Sequence, residues 1–120
     1  MRFLPALLLC LAAADEGRAD TKTSEAQRIE HLIRAVEELP NAKFVRNGSA
    51  YDAKAAAEHL RLKLRNAGAR VKTAEDFIRF CASKSSVSGK PYRIRFADGT
   101  LQTSEAFLRA KLSGLDKRGK

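Results

Sequence analysis

The clearest pattern in the chain is a run of apolar residues at helical spacing between Ser24 and Pro40. Its members lie three or four positions apart: Ile29, Leu32, Ile33, Val36 and Leu39. This period is that of an amphipathic helix. Ser24 and Gln27 form a capping-box pattern at its start, and Pro40 ends it. The pattern therefore predicts a helix that begins at Ser24.

Three further segments have the same helical period. Asp52 caps a second helix that ends near Gly68, and its buried face is rich in alanine: Ala53, Ala56, Ala57, Leu60 and Leu64. Thr73, with Asp76 three residues on, caps a third helix, whose apolar stripe places Cys81 in the core. A fourth helix begins near Ser104 with four inward residues: Phe107, Leu108, Leu112 and Leu115. Residues 116–120 are a polar, basic tail that we expect to be frayed.

Two segments have the alternating or β-branched character of strands. Lys43–Arg46 predicts a brief strand, and Asn47-Gly48 predicts a turn after it. From Pro91 to Ala97 the chain alternates, with apolar residues on one face and Arg93 and Arg95 on the other. Asp98-Gly99 is a two-residue hairpin signal. It would return the chain through a third strand, Thr100–Thr103, and place Phe96 near Leu101 across the ladder.

The resulting order, α-β-α-α-β-β-α, predicts an α+β fold. We expect a small antiparallel sheet of about three strands packed on one face by about four helices. The other face of such a sheet stays at least partly open to solvent. The sequence contains no internal repeat and no sign of a second domain, so residues 20–120 are predicted to form a single domain.

Residues 1–19 have the layout of a secretory signal peptide. Arg2 precedes an apolar run that is too short to span a membrane, which requires roughly 20 residues. Small residues permit cleavage before Asp15 or before Asp20. We therefore expect a periplasmic or secreted protein whose remaining segments do not cross a membrane. A lipid anchor on Cys10 is disfavoured, because Leu9 rather than a small residue precedes it.

Charge and cysteine content narrow the function classes. The formal net charge is +9, and it does not change on removal of residues 1–19, which carry two cations and two anions. The chain has two cysteines, of which only Cys81 follows the signal peptide, so no intramolecular disulfide can form. The exported domain must rely on its hydrophobic core.

Short segments between Phe44 and Gly99 resemble those of a known family. The first group is Phe44–Ser49, Tyr51, Ala56–Leu60 and Ala74–Ile78, and the second is Ala82–Tyr92 and Asp98–Gly99. In order and spacing they are similar to the YfeK-like family of small secreted bacterial proteins, a domain of unknown function. The similarity extends from about Ile29 to Leu112. It implies a bacterial, periplasmic protein, and it implies no chemical activity.

The residues give little support to catalysis or metal binding. Cys81 is expected in the core, and the two histidines, His31 and His59, are expected to be solvated on helix surfaces. No pair of these three has the local ligand spacing of a zinc site. Gly89-Lys90 lacks the other residues of a phosphate-binding loop. We expect no catalytic residue, no metal and no cofactor.

A basic, serine-rich region is the candidate binding site. The loop Ser83–Lys90 combines hydroxyls, backbone amides and two lysines, which can hold an anion. Arg93 and Arg95 extend it along one face of the following strand. The candidate residues are Lys84, Ser85, Ser86, Ser88, Lys90, Arg93 and Arg95. The sequence does not decide which face of the first strand carries Arg46. Phe44 and Arg46 are two residues apart and share a face, so Arg46 would point inward if Phe44 joins the core.

We therefore expect a non-catalytic binding module that docks an anionic component of the cell envelope. Clustered cations attract phosphate and carboxylate groups in a salt-dependent way. Nucleic acid is a poor candidate, because two tyrosines and no tryptophan leave few stacking platforms. One alternative is a protein-interaction or inhibitor module that uses the loop Ser83–Lys90 to bind a periplasmic protein. Another is a small hydrolase that uses Cys81 or a loop serine.

Overall fold

Four helices and four strands make up residues 24–118, the part of the chain that the computed structural model describes. The predicted signal peptide lies outside these residues. In chain order the elements are α1 (Glu25–Glu37), β1 (Lys43–Arg46), β2 (Ser49–Tyr51), α2 (Ala53–Ala67), α3 (Ala74–Phe77), β3 (Arg93–Arg95), β4 (Leu101–Thr103) and α4 (Ser104–Arg118). A 3₁₀ turn (Gly68–Arg70) follows α2, and a π turn (Ile78–Ala82) follows α3.

The three predicted helix caps are confirmed. The side chains of Ser24, Asp52 and Thr73 each accept a hydrogen bond from the backbone N–H three residues on, at 3.1, 2.8 and 3.0 Å. These bonds satisfy amides that have no partner inside the helix. The backbone N–H of Ala74 donates to Glu25 Oε1 at 2.8 Å. This contact joins the start of α3 to the first turn of α1.

The sheet is antiparallel and has the strand order β2-β1-β3-β4. The predicted α+β class is confirmed, with four strands where about three were expected. The additional strand is β2, which the Asn47-Gly48 turn returns alongside β1. Both turn residues have positive φ, 52° and 82°, the combination that closes a two-residue hairpin. A turn was predicted there, but the strand after it was not.

The predicted register of the second hairpin is wrong by one residue. Leu101 pairs with Arg95, and the backbone N–H of Phe96 donates to Thr100 O at 2.9 Å, so Phe96 does not face Leu101. The Asp98 carboxylate accepts from the backbone N–H of Thr100 at 3.0 Å, and Gly99 has φ 90°. These contacts lengthen the loop to residues 97–99. A one-residue slip reverses the face of a side chain, and Leu101 is consequently 57% exposed.

All four helices cover one face of the sheet, and the core lies between the two layers. Phe44 and Ile94 pair across β1 and β3 and are buried against helical residues such as Leu32, Phe77 and Leu108. The prediction that Cys81 belongs to this core is confirmed, because its side chain is 0% exposed. On the opposite face of the sheet, Arg93 and Arg95 are exposed.

The third helix is less regular than its apolar stripe suggests. Only Ala74–Phe77 is α-helical, and Ile78–Ala82 forms a π turn. Ser83 Oγ donates to Ile78 O at 2.6 Å and so satisfies a carbonyl at its end. Cys81 and Ala82 remain buried in this turn, while Phe80 is 39% exposed.

The last helix is longer than predicted. α4 continues through Arg118, so residues 116–118, which were expected to be frayed, are helical. Asp116 Oδ1 lies 2.8 Å from Arg28 Nη2, and this ion pair holds the end of α4 against α1. Residues 119–120 lie outside the described range.

The β1–β2 turn is sensitive to the addition of a single methyl group. Replacing Gly48 with alanine places a Cβ at φ 82°, which costs roughly 1–2 kcal/mol for an L-residue. We expect G48A to lower the free energy of unfolding by about that amount in urea denaturation monitored by circular dichroism.

The matched control is Gly114→Ala in α4. Gly114 is helical, and a Cβ there meets nothing within 4 Å. Alanine should therefore raise the free energy of unfolding by about 0.5–1 kcal/mol. Equal effects of the two substitutions would contradict the turn assignment.

Candidate functional site

Arg46 lies on the helix-facing side of the sheet. The sequence alone did not decide which face of β1 carries this residue. Phe44 faces the core, and residues two apart in a strand share a face. Arg46 ends β1 and is half-buried. Its Nη2 donates to Tyr51 Oη at 3.1 Å, and its guanidinium carbon lies 4.8 Å from the centre of the Tyr51 ring.

From α2, His59 and Lys63 extend this arrangement. Arg46 Nη1 lies 3.1 Å from His59 Nδ1 and 3.2 Å from Nε2. His59 Nε2 is 3.3 Å from Tyr92 Oη, and Lys63 Nζ donates to the same hydroxyl at 3.1 Å. Five side chains, from β1, β2, α2 and the residue before β3, thus form one contiguous group. We call Arg46, Tyr51, His59, Lys63 and Tyr92 the Arg46 cluster.

The electrostatics of the cluster favour a neutral imidazole. Partial burial lowers the pKa of His59, and the positive charges of Arg46 and Lys63 lower it further. A neutral imidazole has one ring nitrogen free to accept from Arg46. The hydrogen bond and the charge of Arg46 also lower the pKa of Tyr51. The cluster therefore carries the two cationic charges of Arg46 and Lys63.

Arg46 and Lys63 form one wall of a cleft of about 240 Å³. We call it the basic cleft. It lies between α2, the 3₁₀ turn, the π turn and the loop before β3, and it is lined by Arg46, Asn47, His59, Leu62, Lys63, Asn66, Ala67, Arg70, Phe80, Ser85, Ser86, Val87 and Tyr92. Three lining residues are cations and none is acidic. Within residues 24–118, no ion pair includes any of the three.

Most of the large hydrophobic side chains that are exposed between Ser24 and Arg118 lie in the same cleft. Four large hydrophobic residues between Ser24 and Arg118 are exposed, and Leu62, Phe80 and Val87 line the basic cleft. Val87 is 93% exposed. A concave surface with clustered apolar groups and with cations that form no ion pair among the described residues is a typical binding surface.

Behind the Arg46 cluster is a second space, of about 180 Å³, which we call the apolar cavity. It lies between α2 and the sheet, and Ala55, Ala56 and Leu60 of α2 face Phe44 across it. Arg46, His59 and Tyr92 line both the apolar cavity and the basic cleft. These three side chains are therefore a shared wall between an apolar compartment and a cationic one.

The structure divides the candidate residues of the loop. Ser85 is buried, and its Oγ accepts from the backbone N–H of Val87 at 3.1 Å and from Asn47 Nδ2 at 3.2 Å, so this hydroxyl organises the loop. Ser86 is exposed and lines the basic cleft. Ser88 Oγ donates to Asn47 Oδ1.

The two lysines of the loop flank this turn. Lys84 and Lys90 are exposed. The carbonyl of Lys84 accepts from Lys63 Nζ at 3.2 Å, and the backbone N–H of Lys90 donates to Ser88 Oγ at 3.2 Å. Lys84 also forms a β-bridge with Pro91. The loop is consequently a hydrogen-bonded turn rather than an open connection.

Arg93 and Arg95 are separated from Ser85 and Ser86 by the thickness of the sheet. Both arginines are exposed on the outer face, and their neighbour Tyr92 is buried and faces α2. Lys43 pairs directly with Arg95, which places like charges side by side. The structure therefore contains two basic surfaces where the sequence predicted one.

The chemistry of the nucleophiles is unfavourable for hydrolysis. Burial raises the pKa of the Cys81 thiol and so disfavours the thiolate. In the described residues, Ser85 and Ser88 have amides as side-chain partners and neither has a histidine or a carboxylate. Between Ser24 and Arg118 no three His, Cys, Asp or Glu residues are grouped to hold a metal ion, and no helix there is long and apolar enough for a membrane span.

Sequence reasoning missed most of the Arg46 cluster. His59 was expected to be solvated, but it is half-buried and contacts Arg46 and Tyr92. The spacing of His59 and Lys63, one helical turn apart, was a signal that both lie on one face of α2. It could not show which strand that face contacts.

A family assignment comes from comparison with known proteins. Residues 23–116 match a family described as "Family of unknown function (DUF5329)". The chain belongs to this family. It is also similar to "Uncharacterized protein YfeK" of Salmonella typhimurium, with 45% identity over 87 residues, which cover 72% of this chain and 69% of that protein. The predicted YfeK-like resemblance is confirmed. No solved structure matches the chain.

Three of the six segments on which the resemblance rests meet at the basic cleft. Phe44–Ser49 contributes Arg46 and Asn47, Ala56–Leu60 contributes His59, and Ala82–Tyr92 contributes Ser85 and Tyr92. Segments that are far apart in the chain therefore form one site. Lys63 and Arg70 of the cleft and Arg93 and Arg95 of the outer face lie outside these segments.

The lowered pKa of His59 makes stability depend on pH. Below the ordinary pKa of 6.5, the unfolded chain takes up a proton that folded His59 resists. The free energy of unfolding should therefore fall as the pH drops through 6.5 toward the lower folded-state pKa. H59Q should weaken this dependence, as measured by urea unfolding at about pH 7.5 and about pH 5.5. An equal weakening in H31Q, which replaces the exposed histidine, would contradict the assignment to His59.

Proposed function

We propose that this protein is a non-catalytic binding module that docks an anionic component of the cell envelope in the basic cleft. The single observation that carries the proposal is the composition of the cleft lining. Arg46, Lys63 and Arg70 line it without an acidic residue, beside three of the four exposed large hydrophobic side chains between Ser24 and Arg118. Such a surface suits a ligand with negative charge next to apolar area.

Like charges that share a concave surface repel one another, and burial strengthens the repulsion. Arg46 is half-buried, and neither it nor Lys63 has a carboxylate partner within residues 24–118. An anionic ligand relieves this repulsion and can accept hydrogen bonds from both side chains. The free energy of binding then includes a contribution that the unliganded protein lacks.

The location of the ligand in the cell envelope rests on the first nineteen residues. Their signal-peptide pattern supports a periplasmic or secreted protein. Envelope components outside the cytoplasm include glycans and lipids that carry phosphate or carboxylate groups. These groups are the partners that clustered cations attract.

A second candidate surface is the outer face of the sheet, where Lys43, Arg93 and Arg95 are exposed. Its favouring observation is the like-charged pair of Lys43 and Arg95. The outer face is formed by strand side chains and, among the described residues, has one exposed large apolar side chain, Leu101. It therefore offers less enclosure than the cleft, and we favour the cleft.

The exposure of Val87 favours a third candidate, a protein-interaction module that uses the loop Ser83–Lys90. Val87 is 93% exposed, and covering such an apolar side chain with a partner protein is favourable. A V87S variant tests this candidate directly. If it removed binding of a periplasmic protein that persists at high salt, the anionic ligand would be replaced as our proposal.

The test compares two double variants that each remove two positive charges. K63A/R70A removes cations of the basic cleft, and R93A/R95A removes cations of the outer face. Each Lys or Arg near an anionic surface contributes about 1 kcal/mol, so K63A/R70A should weaken binding of bacterial lipopolysaccharide by roughly thirtyfold. Isothermal titration calorimetry at low and high salt gives the affinity and its salt slope.

R93A/R95A is the matched control, because its net charge equals that of the cleft variant. We expect its affinity to stay within about threefold of that of the unmodified protein, because salt screens the long-range attraction between the outer-face arginines and a ligand in the cleft. Loss of binding in R93A/R95A but not in K63A/R70A would transfer the function to the outer face. Equal weak losses in both variants would mean that the charge acts generically, and the proposal would fail.

A further inference from the structure

The apolar cavity exists because α2 presents small side chains to the sheet. Ala55 and Ala56 line it on the helix side, and Phe44 and Tyr51 line it on the sheet side. Protein interiors are normally close-packed, with few voids larger than a water molecule. Residues 24–118 contain one cysteine, which is free, so no disulfide within them supports the core around this space. The space of about 180 Å³ is partly open to solvent, so it is an accessible apolar pocket at the edge of the core rather than a closed packing void.

The dimensions of the cavity correspond to a small apolar group. A cavity of roughly 150 Å³ lined by apolar side chains stays dry and accepts benzene. The space behind Arg46 is slightly larger, and Val36, Leu60 and Leu108 supply apolar walls. Its volume suits one aromatic ring or a chain of about six carbons.

Polar groups occur where the cavity meets the basic cleft. Arg46, His59 and Tyr92 line both spaces, so a group bound in the cavity and a group bound in the cleft can both contact the Arg46 guanidinium. Arg46 donates to Tyr51 at 3.1 Å and contacts the His59 ring. A guanidinium has five N–H donors, so donors remain for a carboxylate.

We infer that the cavity and the cleft together form one site for a small amphiphilic carboxylate. The carboxylate pairs with Arg46, for which arginine has the matching planar geometry, and an acyl or aryl group of about six carbons fills the cavity. This inference rests on the proposed function, since it names the ligand class of the same cleft. It adds a size limit that a cationic surface alone does not impose.

The chain-length dependence of binding is the first test. Butanoate, hexanoate and decanoate are titrated into the full chain, and chemical shifts of backbone amides are followed. Each buried methylene should strengthen binding about fourfold, so hexanoate should bind roughly fifteenfold more tightly than butanoate. The gain should level off between hexanoate and decanoate, when the cavity is full. The inference would be overturned if affinity did not depend on chain length, or if it rose by the same factor per methylene all the way to decanoate.

The second test fills the cavity. A56L adds three carbons to a wall residue, so hexanoate binding should weaken at least tenfold while lipopolysaccharide binding through Lys63 and Arg70 is retained. Circular dichroism shows whether A56L is folded, and the chain-length series does not depend on that variant. Hexanoate binding that is unchanged in folded A56L would overturn the inference.

A third comparison separates this inference from the proposed function. R46Q should reduce the preference for hexanoate over hexan-1-ol to within about threefold, because an amide leaves the carboxylate without its charged partner. If K63A/R70A leaves lipopolysaccharide binding intact while hexanoate still shows the expected series, the proposed function fails and the cavity assignment stands. If hexanoate does not bind and K63A/R70A weakens lipopolysaccharide binding as expected, the cavity assignment fails and the proposed function stands.

Discussion

A single guanidinium on the helix-facing side of the sheet governs the arrangement of this protein. Arg46 shares a face with Phe44 and must therefore lie toward the helices. A half-buried cation needs hydrogen-bond acceptors and polarisable neighbours. Tyr51 and His59 supply them from β2 and α2, so the hairpin and the helix are held together by polar contacts at the same place where they enclose apolar space.

The helix α2 serves two purposes that compete with each other. Its alanines allow a close approach to neighbouring elements, and Ala57 is completely buried. Toward the sheet, however, the same small side chains leave space unfilled. His59 and Lys63 continue this face where it reaches the cleft. One helix face therefore grades from apolar to cationic, and the two compartments result from that gradient.

Local signals in the sequence were sufficient for the helix starts but not for the site. Each cap, at Asp52 and at Thr73, is a hydrogen bond between residues three apart in the sequence, so the local sequence is enough to predict it. The register of the second hairpin depended instead on hydrogen bonds from Thr100 to the Asp98 side chain. These bonds accompany a three-residue loop, whereas the Asp98-Gly99 motif predicts a loop of two residues.

The site itself was beyond the reach of such signals. Contacts between Arg46 and His59, or between Asn47 and Ser85, join residues that are distant in the chain. Periodicity identifies the face of each element but not the element that it meets. The loop Ser83–Lys90 could be identified because its serines and lysines are contiguous in the sequence. The Arg46 cluster, in contrast, forms only when the sheet and α2 come together.

The π turn after α3 has a consequence for how this fold tolerates change. A π turn contains one residue more than the α-helical turn it replaces. Loss of one residue from Ile78–Ala82 would restore regular helix and rotate the preceding residues by about 100° relative to the succeeding ones. Phe80 and Cys81 could then no longer face the cleft and the core, respectively. The irregularity is thus a phase adjustment between the residues before Ile78 and those after Ala82, and an insertion or deletion in this short segment would change the facing of both.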